Sequence, residues 1–196
     1  MTEVTFTGNS SFPVMTQGYD DVTECKGVYE ADISVVDPKG AVGIAWRGDF
    51  ATDTEKCYEK GCNYVSVQIG SSAGRLQVGS VLNGSRGELK GSKPDNTTFP
   101  QAFQDKLAKV AAKEDVVFHF MVVDYGDHFV LYVDGEQVFD SALPDSSSTA
   151  KREYNPNDYQ GTGFGWRSSD ADSKMSNFKY TTLADAEAKG LIPSSK

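Results

Sequence analysis

Two segments of the chain share a pattern in which a glycine-led run ends in Trp-Arg, with an aspartate shortly beyond it. The planar guanidinium of arginine holds vicinal hydroxyls or a carboxylate through two parallel hydrogen bonds. Aspartate accepts hydrogen bonds from hydroxyl groups, and an aromatic face packs on the apolar side of a sugar ring. The pattern therefore predicts a site for a polyhydroxylated ligand, with these candidate residues: Trp46, Arg47, Asp49, Trp166, Arg167 and Asp170.

A second interpretation of these residues is structural. In it, Trp46 and Trp166 anchor the hydrophobic core and the charged groups form a solvated network. The tryptophans fit both interpretations, because large aromatic side chains dominate cores as well as binding sites. The arginines fit the binding interpretation better, because arginine is mostly exposed in proteins unless it is paired.

Glu30 and Asp32 are two residues apart in an alternating segment, so both carboxylates point to one face of a strand. Such a pair can bind hydroxyl groups or perform general acid-base catalysis. Tyr64 and Gln68, in a later alternating segment, are further binding candidates. His119 lies among apolar strand residues and is interpreted as a structural histidine. The sequence has no nucleophile elbow, phosphate-binding loop or metal-spaced histidine cluster.

Several acidic pairs offer the hard oxygen ligands that calcium prefers, although none has the spacing of a defined calcium loop. These pairs are Asp20 with Asp21, Asp49 with Asp53, and Asp170 with Asp172. We expect no required cofactor, and a structural calcium ion stays open as a hypothesis.

The chain has three cysteines, of which Cys57 and Cys62 bracket a four-residue loop. In an exported protein these two would form a small disulfide and leave Cys25 free. Three free thiols are the alternative. Because the chain has only two histidines, this cysteine pair is a poor zinc site.

The formal net charge of −9 and the pI near 4.7 argue against a nucleic-acid or anionic-membrane partner. Binding to phosphates requires clustered Lys and Arg, which the sequence lacks. No apolar run approaches the roughly 20 residues that span a bilayer. The N-terminus also lacks the basic and apolar regions of a signal peptide.

Alternation of apolar and polar residues predicts about ten β-strands. The clearest case is residues 115–140, where a Gly-containing turn and an Asp134-Gly135 turn join three strands into an antiparallel meander. Residues 84–96 are predicted to form a loop. So many short strands predict an all-β fold, a two-sheet antiparallel sandwich.

Two short helices accompany the strands. The first is predicted from about Phe99 to Lys113 and the second ends at about Lys189. Both begin with capping-box patterns, in which a Thr side chain caps a backbone N–H three residues later. The capping pairs are Thr98 with Gln101 and Thr182 with Asp185. We expect a sandwich domain over residues 1–182, followed by a C-terminal helix and tail over 183–196.

The order of these segments resembles the concanavalin A-like lectin/glucanase superfamily, in its laminin-G-like branch, and is similar to carbohydrate-binding module family 66. The matching segments are GVYEADISVV, GAVGIAWRGD, NYVSVQIG, FHFMVVDYGDHFVLYVDGEQVFD and GTGFGWRSSDADSKMSNFKY. The resemblance implies a jelly-roll sandwich in which the strands that carry Arg47 and Arg167 lie in one sheet. These two arginines would then converge with Glu30, Asp32 and Gln68 on one polar surface.

The resemblance also implies a function. The chain would be a non-catalytic carbohydrate-binding module for a fructan-like glycan or another terminal sugar, and it would target an exported enzyme or a surface protein. We therefore expect carbohydrate as the partner, a secreted or cell-surface location, and a monomer or one part of a multidomain chain. Members of this superfamily often carry a structural calcium ion.

Two other functions stay open on the same fold. Glycosidases of the superfamily carry a Glu-x-Asp-x-x-Glu pattern on one strand, so that acid and nucleophile face the same bond. Glu30 and Asp32 match its first two positions, but position 35 is Val. A small hydrolase or polysaccharide lyase is therefore the less favoured hypothesis. An adhesion or protein-interaction module is the third.

Overall fold

The computed structural model describes residues 4–6, 13–15, 22, 24–37, 40–49, 61–70, 74–92, 99–144, 146, 148–169 and 172–193. The strands are β1 (Val4–Phe6), β2 (Pro13–Met15), β3 (Gly27–Asp37), β4 (Ala41–Asp49), β5 (Asn63–Gly70), β6 (Arg75–Leu82), β7 (Ser85–Glu88), β8 (Val116–Asp124), β9 (Phe129–Val133), β10 (Glu136–Asp140), β11 (Gly163–Ser169) and β12 (Asp172–Thr181). The helices are α1 (Gln101–Ala111) and α2 (Leu183–Ala188), and a single 3₁₀ turn covers Pro156–Asp158.

The strands form two sheets of six strands each within the described ranges. Sheet A has the order β1-β12-β3-β8-β9-β10, and sheet B has the order β2-β11-β4-β5-β6-β7. All the strand pairs in both sheets are antiparallel. The prediction of an all-β, two-sheet antiparallel sandwich is thereby confirmed.

The core lies between the two sheets and follows from the period-2 pattern of the strands. On β3, Tyr29, Ala31 and Ile33 are buried, while Glu30 and Asp32 on the opposite face are only partly covered. The inward residues of both sheets belong to one hydrophobic cluster. The buried residues of α1 join the same cluster, so this helix covers part of the core: Phe103, Leu107 and Val110.

The meander over residues 115–140 is confirmed as β8, β9 and β10. Asp134 and Gly135 both have positive φ, 52° and 83°, as a primed hairpin turn requires. One strand was missed, because β7 lies in the segment predicted to be a loop. Its residues do not alternate between apolar and polar types, and within the described residues β7 pairs with β6 alone, at the edge of sheet B.

The two helix starts differ from each other. At α2 the predicted cap is confirmed, because the Thr182 side chain accepts a hydrogen bond from the Asp185 backbone N–H at 3.2 Å. At α1 the predicted capping box is wrong. The N-cap residue is Pro100, which makes no side-chain capping hydrogen bond. In the described part of the chain, no helix is long and apolar enough to cross a membrane.

Candidate functional site

A polar groove crosses the outer face of sheet B. Paired residues on neighbouring antiparallel strands point to the same side of a sheet. One row of pairs runs across four strands: Arg167 with Gly43, Gly43 with Gln68, and Gln68 with Gln77. The strand registers therefore place Arg167 and Gln68 on one face, two strands apart, which is about 10 Å at the usual strand spacing.

Small residues keep the floor of this groove low. The next row consists of Gly165, Ala45, Ser66 and Gly79 and ends at Glu88 on β7. Short side chains in this row leave a cavity of about 310 Å³, near the lower end of the range for small-molecule sites. Its polar lining consists of these residues: Ser66, Gln68, Gln77, Arg86, Glu88 and Arg167. We call this cavity the sheet B groove.

Two buried side chains in the sheet B groove keep unused hydrogen-bonding groups. Arg167 is 2% exposed, and its Nε has no hydrogen-bond partner among the described residues. Gln68 is also 2% exposed; its Nε2 donates to Gln77 Oε1 at 2.7 Å, but its Oε1 has no partner among those residues. A buried polar group without a partner is costly, so the groove presents one donor and one acceptor that a ligand could satisfy.

The carboxylate of the sheet B groove is already engaged. Glu88 forms an ion pair with Arg75 and accepts a hydrogen bond from Ser92 Oγ at 3.0 Å. Its remaining capacity is that of a hydrogen-bond acceptor at the edge of the groove. The lining therefore suits binding through hydrogen bonds better than proton transfer, which requires a positioned acid or base with a free site.

Arg47 lies elsewhere, at one end of the space between the sheets. Its Nε and Nη2 donate to the two carboxylate oxygens of Asp124 at 2.6 and 2.7 Å. Three backbone carbonyls accept further hydrogen bonds from it, those of Gly126 at 2.7 Å, Tyr159 at 3.1 Å and Pro156 at 3.3 Å. Arg47 is 2% exposed and Asp124 is fully buried. Burial by itself would lower the pKa of Arg47, but hydrogen bonding and charge from Asp124 outweigh burial and raise it.

A bulge in β4 explains why Arg47 turns inward. The pairing of β4 with β5 shifts register between Trp46 and Asp49, and Arg47 has φ of 53°. As a result both Trp46 and Arg47 reach Asp124, and Trp46 Nε1 donates to its Oδ2 at 3.2 Å. Trp46 belongs to the hydrophobic core, as the structural interpretation has it. Arg47 lies in a buried ion pair, whereas that interpretation places it in a solvated network. The predicted convergence of Arg47 with Arg167 is wrong.

Glu30 and Asp32 lie on the outer face of sheet A, because β3 belongs to that sheet and Arg167 to the other. The predicted single surface joining Glu30, Asp32, Gln68 and Arg167 is therefore wrong. Of these four residues, Gln68 and Arg167 line the same cavity.

His119 joins the two carboxylates on sheet A. Its Nδ1 lies 2.7 Å from Asp32 Oδ1, and its Nε2 lies 3.6 Å from Glu30 Oε1. Lys179 donates to Glu30 at 2.9 Å, and Asn177 donates to Asp32 at 2.5 Å. The side chain of His119 is 42% exposed and both of its ring nitrogens face carboxylates, in agreement with the interpretation of His119 as a structural histidine. We call these five residues the sheet A network.

The charges of the sheet A network shift its titration. The nearby carboxylate of Glu30, followed by the hydrogen bond with Asp32, raises the pKa of His119 from 6.5 to about 9 although burial opposes the shift. The ion pairs with His119 and Lys179 lower the pKa of Glu30 from 4.5 to about 2. A glycosidase acid needs a raised pKa so that it holds its proton at neutral pH. Glu30 is shifted in the opposite direction, which disfavours it as a catalytic acid.

The remaining predicted site residues lie apart from the sheet B groove or outside the described residues. Asp49 is exposed at the end of β4. Tyr64 is fully buried and packs with Ala45, Cys62 and Val81. The backbone of Trp166 pairs with Ile44 in sheet B. The Trp166 side chain and Asp170 lie outside the described part of the structure, so their roles stay predictions.

The structure describes only some of the residues named in the disulfide and calcium predictions. Cys62 is disulfide-bonded and Cys25 is a free thiol, while Cys57, the predicted partner, lies outside the described residues. The described residues hold no cluster of three or more His, Cys, Asp or Glu that could bind a metal ion. Of the predicted calcium ligands, Asp20, Asp21, Asp53 and Asp170 lie outside the described ranges. A structural calcium ion therefore stays a hypothesis.

Several site residues were missed from the sequence: Ser66, Gln77, Arg86 and Glu88. The sequence carries a signal for Ser66 and Gln77, because each alternates with buried apolar residues on one of two paired strands. These apolar neighbours are Val65, Val67, Leu76 and Val78. Arg86 and Glu88 had no such signal, since their strand was read as a loop. Asp124, the partner of Arg47, was missed because only the fold brings β8 to the end of β4.

No protein-family model and no curated protein matches the sequence. Among solved structures, carbohydrate-binding module family 66 from Bacillus subtilis is similar at a TM-score of 0.51 and 17% identity, over 81% of this chain and 76% of that chain. A sheep galectin-11 in complex with glycerol has a TM-score of 0.47 at 10% identity, over 90% and 100% of the two chains. A Bacillus licheniformis β-glucanase has a TM-score of 0.43 at 14% identity, over 80% and 66%. The chain has a concanavalin A-like sandwich fold, so the resemblance to family 66 is confirmed at the level of the fold.

Proposed function

We propose that this chain is a non-catalytic carbohydrate-binding module that binds a glycan in the sheet B groove. The observation that carries the proposal is the pair of unused groups on buried side chains, Arg167 Nε and Gln68 Oε1. A sugar offers hydroxyl groups that both donate and accept, so it can satisfy both groups at once. The polar lining and the volume of about 310 Å³ suit a ligand of one or a few sugar rings.

The fold supports the same proposal. The module from Bacillus subtilis with which the chain shares its fold is a carbohydrate-binding module. By this analogy the chain would target a parent exported enzyme or a surface protein to its glycan, and fructans are the first neutral ligands to test. The analogy concerns fold alone, so the argument for the site depends on Arg167 and Gln68.

A glycan array combined with a reducing-sugar assay tests this proposal. We expect binding without turnover. Replacing Gln68 with Ala should weaken binding by about tenfold, because the lost acceptor leaves a ligand hydroxyl unpaired. Gln137→Ala is the matched control, since Gln137 is exposed on β10 of sheet A. It should leave affinity unchanged.

Two results would point to the other functions. Release of reducing ends would contradict the non-catalytic assignment and favour a hydrolase. Failure to bind any glycan on the array would contradict carbohydrate binding altogether and favour a protein-interaction module. Equal loss of affinity in Gln68→Ala and Gln137→Ala would show that the sheet B groove is not the binding site.

A further inference from the structure

The arginines of the described strands differ in how their charge is balanced. Arg47 faces Asp124, and Arg75 faces Glu88. Arg167 is as deeply buried as Arg47, but no described carboxylate forms an ion pair with it. A buried charge without a partner is unfavourable, and it is retained where a ligand completes the pair.

The sheet B groove also differs in charge from the rest of the molecule. The chain has a formal net charge of −9. The described lining of the groove has two basic side chains, Arg86 and Arg167, and one acidic side chain, Glu88. Since Glu88 is itself paired with Arg75, it does not balance the charge of Arg167. The acidic molecule therefore carries a localised site that favours an anion.

We infer that the ligand of the sheet B groove is an acidic glycan and that its carboxylate pairs with Arg167. This inference rests on the proposed function and adds the ligand class to it. A neutral hydroxyl would satisfy the hydrogen bond of Nε but would bring no negative charge to the buried guanidinium. A planar carboxylate matches the guanidinium fork in both geometry and charge. The free Oε1 of Gln68 then accepts from a hydroxyl of the same sugar ring.

Methyl esterification of the sugar carboxylate removes its charge while the rings and hydroxyls stay in place. The probes are oligogalacturonate and sialyllactose, each compared with its methyl ester by isothermal titration. Neutral levan oligosaccharides and sulfated carrageenan oligosaccharides are titrated alongside them. We expect at least one acid to bind the wild-type protein about tenfold or more tightly than its ester, as for a hydrogen bond to a charged group.

Arg167 should be the source of this preference. Arg167→Met should bind acid and ester about equally, and Arg167→Lys should keep a reduced preference because it retains the charge but lacks the fork. Circular dichroism melts check that both variants are folded. The comparison of acid with ester on the wild-type protein does not depend on either variant.

The outcomes separate this inference from the proposed function. Binding of levan with no preference for either acid would overturn the acidic ligand and leave the carbohydrate-binding proposal intact. A preference for carrageenan over both carboxylates would overturn the carboxylate assignment. Equal affinity for acid and ester would also overturn the carboxylate assignment. If none of the probes and no array glycan binds, the proposed function itself fails.

Discussion

Asp124 accepts hydrogen bonds from three residues at one end of the space between the two sheets. Its carboxylate accepts hydrogen bonds from Trp46 Nε1, from two nitrogens of Arg47 and from the backbone N–H of Gly126 at 2.9 Å. These bonds connect β4 of sheet B with β8 of sheet A. The ion pair therefore fixes how the two sheets meet, and neither partner is available to a ligand in its buried position.

Replacing Arg47 with Met should destabilise the protein strongly. The buried carboxylate of Asp124 would lose its partner, which costs about 3–5 kcal/mol in free energy of unfolding. Urea denaturation measures this loss. The double variant Arg47→Met/Asp124→Leu is the control, because removing both charges should cost much less than the sum of the single changes. A loss below about 1 kcal/mol in Arg47→Met would contradict the structural role.

The sheet A network predicts a pH dependence of stability. Because folding raises the pKa of His119 from 6.5 to about 9, its contribution is fully present below pH 6.5 and is lost as pH rises to 9. The imidazole is partly exposed, so we expect a loss of up to about 1 kcal/mol across this window. His119→Gln should flatten that slope in urea unfolding series.

The acid side of the profile belongs to Glu30, whose pKa is lowered from 4.5 to about 2. Its contribution is present above pH 4.5 and is lost as pH falls toward 2. Glu30→Gln should therefore reduce the loss of stability at acid pH. Unchanged slopes in both variants would show that the sheet A network does not form in solution.

At the scale of elements, local patterns predicted most strands, but they did not predict how strands meet. Alternation placed Glu30 and Asp32 correctly on one outward face of β3. It could not tell that β3 and β11 belong to different sheets, since strand order depends on contacts distant in sequence. Regular alternation along β4 would place Arg47 on the face opposite Trp46, and the bulge in β4 reverses this. Gln68 and Arg167 were the predicted residues that share a groove.

Gly43 allows the close approach of β4 to β5 beneath the sheet B groove. A Cβ on Gly43 would lie 1.9 Å from the carbonyl oxygen of Val67, which is backbone and cannot move aside easily. Gly43→Ala should therefore lower the free energy of unfolding by about 1–3 kcal/mol. Gly70→Ala is the control on the same sheet, because its Cβ would meet its nearest atom at 3.8 Å. Equal melting temperatures for the two variants would contradict this packing.

A further prediction concerns the disulfide bond between Cys57 and Cys62. Cys62 is disulfide-bonded and Cys25 is free, so thiol counting under denaturant should return one free thiol. Reduction should lower stability by about 2–3 kcal/mol, because the bond restricts the unfolded chain. The sandwich should stay folded after reduction, since Cys62 is not part of the main hydrophobic cluster between the two sheets. Three free thiols before reduction would refute the bridge.

At the scale of the whole molecule, the two outer faces of the sandwich differ in how their polar groups are satisfied. The sheet A network pairs its carboxylates with His119, Lys179 and Asn177. The sheet B groove leaves Arg167 Nε and Gln68 Oε1 without described partners. A ligand gains most binding free energy where it satisfies buried groups that lack a partner, so we assign binding to sheet B.

The measurement that tests this assignment most directly is the affinity of two matched variants for the strongest ligand from the glycan array. Arg167→Met and Lys179→Met each remove one positive charge, the first from the sheet B groove and the second from the outer face of sheet A. By isothermal titration, Arg167→Met should lose about 1.5–3 kcal/mol of binding free energy, while Lys179→Met should bind like the wild type. Loss of binding in Lys179→Met with full affinity in Arg167→Met would contradict the account.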